Sequence, residues 1–305
     1  MDRFSSILLC VDVSARGFDA VDEGPPLEVL SAIAKARWAR ERTGARITVM
    51  SVLDVDGADP ELLDLVRLRL EQHVVSRLES ADVEVVVTHG RPFQEIIRQV
   101  LRTGNDLVIV GARKSSLVHR TLVGSTSLHL LRKCPCPVWV APRRSEPGPR
   151  VVLSAVAIDE LMPVVLDLSA RVVKARGGQW HVFHCPEYPL EGGMRLRGAN
   201  VDETEAYEAE VRKECWSALH KHADPLAKSI GVEPKFWMSE GLPSEQIGLA
   251  VRELGADLVV MGTVSKSMLA ATIVGNTAEK VFNTTECSIL AVKPEGFVTP
   301  VTLED

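Results

Sequence analysis

The segment Gly111-Ala-Arg-Lys-Ser-Ser-Leu-Val-His-Arg-Thr-Leu-Val-Gly124-Ser-Thr126 carries the residue types of an anion site. Gly124 permits a sharp turn and a close approach of ligand to backbone, while Ser125 and Thr126 are expected to cap the helical run that follows and to add hydroxyl donors. Exposed N–H groups and the positive end of that helix suit a phosphate chain, with Arg113, Lys114 and Arg120 adding cationic reach. The same residues also make an ordinary loop before a capped helix, and spacing alone does not separate the two. The segment is not a P-loop, because no glycine directly precedes Lys114-Ser115, and GxGxxG occurs nowhere in the chain.

The elements that must hold this loop are legible through an internal repeat. Gly90-Arg-Pro92 recurs as Gly241-Leu-Pro243, Asp106 as Asp257, Gly111 as Gly262, Gly124 as Gly275 and Cys136 as Cys287, each 151 residues on (241 − 90, for example). A constant offset over some fifty residues means two halves of one fold, and the period is far too long for a solenoid. Upstream, Ile47 to Val52 matches Trp180 to Cys185 at an offset of 133, so the second half holds 18 extra residues (151 − 133), expected around 186–205. The polar, Pro/Gly-rich stretch from Arg143 to Pro149 marks the seam, giving domains 1–145 and 150–305.

In the first half, apolar β-branched runs at Ile7–Val13, Ile47–Leu53, Val83–Thr88, Asp106–Val110 and Pro137–Ala141 alternate with helical patterns at Leu27–Arg42, Pro60–Leu78, Phe93–Leu101 and Ser125–Arg132. That alternation predicts an α/β fold, with parallel strands joined by right-handed crossovers and helices on both faces of the sheet. Ligands of such sheets sit beyond the carboxyl ends of the strands where their order reverses. Asp12 with Ser14, Ser51 to Asp54, and Gly111 stand at those ends.

The loop spacing resembles that of the universal stress protein family, whose ATP-binding members carry Gly, two residues, Gly, nine residues, Gly, then Ser or Thr. Gly111, Lys114, Gly124 and Ser125 keep the spacing with lysine at the second glycine, and Gly262, Ser265, Gly275, Asn276 and Thr277 keep it in the second half. The paired halves, Leu130-Leu-Arg-Lys-Cys-Pro135, Gly275-Asn-Thr-Ala-Glu279 and the tail Thr299-Pro-Val-Thr-Leu303 look most like the tandem, E-type branch of that family. The resemblance implies two tandem Rossmann-like domains of the adenine nucleotide alpha hydrolase type, each with five parallel strands ordered three, two, one, four, five. It further implies ATP, with Mg2+ on its phosphates, in the first half. There Asp12 meets the base or ribose, while Gly111, Gly124, Ser125 and Thr126 meet the phosphates; Ser14, Arg113 and Lys114 are further binding candidates from their residue types and positions. Lys114 either crowds the phosphates or gives them a point charge, and the expectation here is the second. In the second half Ala157 stands where Asp12 does in the first. That half lacks the base-recognising carboxylate, and although Gly262, Gly275, Asn276 and Thr277 are its phosphate candidates, it is expected to serve another ligand or an interface.

Other residues support plainer readings. His181, His184 and Cys185 suggest a metal, but the two histidines, three apart on a strand, face opposite ways, and His220 and His222 are badly spaced on a helix, so no metal site is expected. Cys134-Pro-Cys136 is read as packing at the opening of the fifth strand. Glu203 to Lys213 is an exposed helix with i,i+4 pairs. No GxSxG, HExxH or kinase signature appears, so nothing points to an enzyme beyond slow ATP hydrolysis.

The chain of 305 residues with net charge −6 argues against a nucleic-acid partner, and no apolar run approaches a membrane span. With no basic leader, and six cysteines lacking a CxxC pair, it reads as cytoplasmic. Two functions from different classes follow. One is a stress-response binding or regulatory module with nucleotide in the first half. The other is a scaffold, an internal pseudo-dimer able to pair again as a homodimer, holding a protein partner or a hydrophobic metabolite in the second half.

Overall fold

The computed structural model describes residues 4–13, 25–79, 82–112, 125–143, 146–197, 199–263 and 276–303. Its first half runs β1 (Ser6–Cys10), α1 (Leu27–Thr43), β2 (Arg46–Leu53), α2 (Pro60–Leu70), a π-helical turn (Glu71–Val75), α3 (Ser76–Leu78), β3 (Val83–His89), α4 (Pro92–Thr103), β4 (Leu107–Gly111), α5 (Ser125–Lys133) and β5 (Val138–Ala141). The second runs β6 (Val151–Ala155), α6 (Met162–Arg176), β7 (Gln179–His184), α7 (Glu191–Leu196), α8 (Val201–Ile230), β8 (Lys235–Met238), α9 (Pro243–Leu254), β9 (Leu258–Gly262), α10 (Asn276–Thr284) and β10 (Ser288–Val292).

Each half has the expected parallel order three, two, one, four, five, but the two sheets are not separate. They form one ten-stranded sheet, β3-β2-β1-β4-β5-β10-β9-β6-β7-β8, through the antiparallel pair β5·β10. Trp139 pairs with Leu290, its own equivalent at the 151 offset, while Val138 pairs with Ala291 and Val140 with Ile289. A residue facing its own counterpart marks a twofold-like axis, the arrangement of an isologous dimer within one chain. The edges left unpaired on fusing two such sheets are thereby closed against each other.

Strand residues alternate between two cores. Ile7, Leu9, Leu107 and Ile109 belong to the core that also takes in α1, α2, α6 and α8, whereas Leu8, Val108 and Val110 belong to the one that takes in α4, α5, α9 and α10. Both cores run through both halves.

Much of the sequence repeat punctuates this fold. Gly104 and Gly255 end α4 and α9 in the left-handed conformation, at φ 68° and 62°. Asp106 then accepts from Ser5 N at 2.7 Å and Ser6 N at 3.0 Å, and Asp257 accepts from Arg150 N at 2.9 Å and Val151 N at 3.1 Å. Each aspartate thus fastens the entry of its half's first strand.

The strand registers confirm the 133-residue offset, since Ile7 pairs with Ile47 and its counterpart Val152 with Trp180. The inserted residues form α7 and lengthen α8 to 30 residues. Asn200 opens α8 with a capping box, accepting from Glu203 N at 2.9 Å while Glu203 Oε2 accepts from Asn200 N at 3.0 Å. The polar seam is seated on α1 rather than lying loose. Lys35 Nζ donates to Glu146 O at 2.9 Å, and a Cβ on Gly148 would come within 2.3 Å of Trp38 Nε1. Among the described residues, no helix is long and apolar enough to cross a membrane.

Candidate functional site

β1 and β4 lie side by side, with Cys10 paired to Val110, so Asp12 and Gly111 stand at the ends of neighbouring strands at the switch point. β1 ends at Cys10, earlier than the expected Val13, and Asp12 lies half-buried just beyond it. Gly111 closes β4 next to it. A Cβ on Gly111 would lie 2.7 Å from Glu28 O and 3.0 Å from Glu28 C, so close packing of the first turn of α1 demands glycine here. This reason stands whether or not a ligand binds. α5 begins at Ser125, so Ser125 and Thr126 occupy its first turn, where the sequence reading placed a cap; the Ser125 carbonyl accepts from His129 Nδ1 at 2.7 Å. Ser14, Arg113, Lys114, Arg120 and Gly124 lie outside the described residues.

The corresponding strand ends of the second half border a cavity of about 610 Å³. Its walls come from the ends of β6, β7 and β9, the starts of α6, α9 and α10, and Cys215 of α8. The pairings of Cys10 with Val110 and Ala155 with Met261 put Ala157 at the position of Asp12, as the sequence predicts. Two residues on in the sequence, Asp159 corresponds to Ser14. Its Oδ1 accepts from Leu161 N at 2.9 Å, and burial raises its pKa against that hydrogen bond. Gly262 ends β9 at the cavity wall, where an added Cβ would meet only the tip of Leu161, at 2.6 Å from Cδ1. Thr277 also lines the cavity; Asn276 opens α10, with its side chain outside the described set, as is Gly275.

Val165, Phe183, Ile247 and Met261 make the cavity largely apolar, and Asp159, His184, Glu187 and the thiols of Cys185 and Cys215 supply its ionisable groups. Among the described residues no lysine or arginine lines it. His184 Nδ1 donates to Val156 O at 2.9 Å, which leaves Nε2 as the acceptor of the neutral ring, and burial lowers its pKa. Burial pushes the Cys185 thiol up to about 11. Beside the mouth, Tyr188 Oη donates to Glu240 Oε1 at 3.0 Å and accepts from Arg212 Nη1 at 3.2 Å, fastening the start of the insertion to α8.

From the sequence, His184 and Cys185 are weighed only as metal ligands and Glu187 is not singled out, yet the signal for a shared site is present. The three stand at the 133 offset from Ser51, Val52 and Asp54, which the sequence pattern places at strand ends. His181 is apart from His184: it accepts from Trp237 Nε1 at 2.9 Å on the other side of β7. No three His, Cys, Asp or Glu side chains form a group able to hold a metal among the described residues. Cys134 and Cys136 lie in the turn before β5 rather than in the strand, because β5 begins at Val138.

Parallel α/β halves with helices on both faces, fused across an antiparallel seam, define a tandem doubly wound α/β protein. The family model described as "Universal stress protein family" matches residues 20–142 and 150–293. The chain belongs to the universal stress protein family. It is 32% identical over 223 residues to Universal stress protein E of Escherichia coli K12, covering 72% of this chain and 71% of that one. It is 29% identical over 238 residues to Universal stress protein E of Photorhabdus laumondii, covering 76% of each. Among solved structures, a putative universal stress protein of Pseudomonas aeruginosa superposes with TM-score 0.69 at 20% identity, over 97% of this chain and 95% of that one. One from Archaeoglobus fulgidus gives 0.65 at 19% identity, over 96% and 99%.

Proposed function

We propose that this chain is a two-site binding module of the stress response, without catalytic chemistry of its own, whose first half takes ATP and whose second half takes a different, largely apolar ligand. The observation that carries this reading is the register that sets Asp12 against Ala157 at equivalent strand ends of the two halves. In the first half Asp12 would accept from the base or ribose. The opening turn of α5, with Ser125 and Thr126, presents N–H and hydroxyl donors to the phosphates, whose charge Mg2+ would share. Arg113, Lys114 and Gly124 complete the proposed phosphate site.

In the second half the missing carboxylate, the acidic Asp159 and Glu187, and the apolar walls disfavour a polyphosphate and suit a hydrophobic metabolite. All six cysteines are free of disulfides, which fits a reducing cytoplasm.

Calorimetric titration of ATP with magnesium into the full chain tests the assignment. One site is expected, weakened at least tenfold by Asp12→Ala and unaffected by Ala157→Ser. Binding that ignores Asp12→Ala, or a second site of equal strength, would overturn it.

A further inference from the structure

The turn between α5 and β5 brings together two thiols that neither half's candidate site uses. Cys134 Sγ lies 3.5 Å from Cys136 Sγ across Pro135, with Cys134 fully buried and Cys136 half-buried. Lys293, just past β10 in the other half, is buried against this turn, where its ammonium donates to Leu131 O and Thr263 Oγ1 and attracts both sulfurs. Burial by itself would push the Cys134 thiol up. The hydrogen bond from Cys136 and the charge of Lys293 outweigh it and hold that thiol below its ordinary value, while the same hydrogen bond, with burial, pushes Cys136 up. The fold does not require the pair, because the repeat puts Thr285 where Cys134 stands in the first half and keeps only Cys287.

We infer that Cys134 and Cys136 form a reversible dithiol–disulfide site at the seam between the halves, oxidised by small-molecule disulfides. Cys136, the half-buried and more accessible member, gives its proton to solvent and attacks the small disulfide RSSR, forming Cys136–S–S–R and releasing RS⁻, which takes up a proton. Cys134, deprotonated in turn, attacks Cys136 Sγ, forms the intramolecular bond and releases the second RS⁻. The two thiols lose two electrons and two protons, and RSSR leaves as two RSH. Closing the bond moves the sulfurs from 3.5 Å to about 2.05 Å. A disulfide of this kind in a reducing compartment is transient and responds to the thiol pool.

The test equilibrates the full chain with reduced and oxidised glutathione at graded ratios, unfolds it into N-ethylmaleimide and analyses tryptic peptides by mass spectrometry. The peptide Cys134–Arg143 is expected to lose two hydrogens and escape maleimide as the ratio becomes oxidising, and to recover both label sites after dithiothreitol. Cys10, Cys185 and Cys215 should take label throughout. In Cys134→Ser the reaction should stop at a glutathione adduct on Cys136. Maleimide on both cysteines at every ratio, a wild-type glutathione adduct that never closes, or a bond from Cys136 to Cys287 would each overturn the inference.

Discussion

Lys35 tests whether the seam accommodates a buried charge. It sits on α1 at 1% exposure, donating to Glu146 O, with its Nζ 5.2 Å from the centre of the Trp139 ring. Burial pulls its pKa from 10.5 to about 8, against the opposing attraction of Asp257, Cys287 and Glu146. A lysine whose folded pKa is lowered holds its proton more weakly in the folded chain than in the unfolded one. Below about pH 8 both states are protonated and the folded state carries the full penalty, which fades as pH rises from about 8 to 10.5. At about 1.4 kcal/mol per pH unit, that interval amounts to about 3 kcal/mol. Methionine keeps the volume and removes the charge, and the lost hydrogen bond to Glu146 O costs about 1–3 kcal/mol with little dependence on pH. Urea unfolding of the wild type and Lys35→Met should therefore show the stability difference, wild type minus variant, rising by about 3 kcal/mol from about pH 7.5 to 10.5. Taking the difference cancels the buried thiols of Cys10 and Cys185, whose raised pKa values act in the opposite sense. A flat or falling difference would refute the reasoning.

Three further outcomes follow from the packing. Gly111→Ala sets a Cβ against the backbone of Glu28 and should cost about 1–3 kcal/mol, whereas Gly262→Ala meets only the movable tip of Leu161 and should cost less; equal losses in denaturant midpoint would contradict the contrast. Trp139 is fully buried at the seam, edge-on to Trp38 at 6.0 Å, so Trp139→Ala should remove about 3–5 kcal/mol in thermal or chemical unfolding. Asn200→Ala deletes the side-chain half of the capping box and should cost about 1 kcal/mol, with hydrogen exchange rising first at the start of α8.

The sequence by itself determined the parts of this protein that depend on local chemistry. The 151-residue repeat is a repeat of punctuation: left-handed glycines at helix ends, prolines at the start of α4 and α9, and aspartates at the entry of the first strands. Backbone sterics and caps act within a few residues, so their spacing survives in the linear text, and with it the alternation of strands and helices and the Asp12-to-Ala157 exchange, whereas the strand order came from the family resemblance. Sequence reading also placed Gly111 in a ligand loop, and the tertiary structure added a second reason for that glycine, the carbonyl of Glu28 brought from another element. Only that structure decided that the halves share one sheet, because pairing Trp139 with Leu290 depends on two edges meeting across a long stretch of chain. It alone placed Lys35 and Lys293 in the interior, since a lysine's burial depends on which surfaces close over it. The apolar second-half cavity arises the same way: each wall residue is ordinary in its own segment, and the ends of several strands and helices must converge before the space exists.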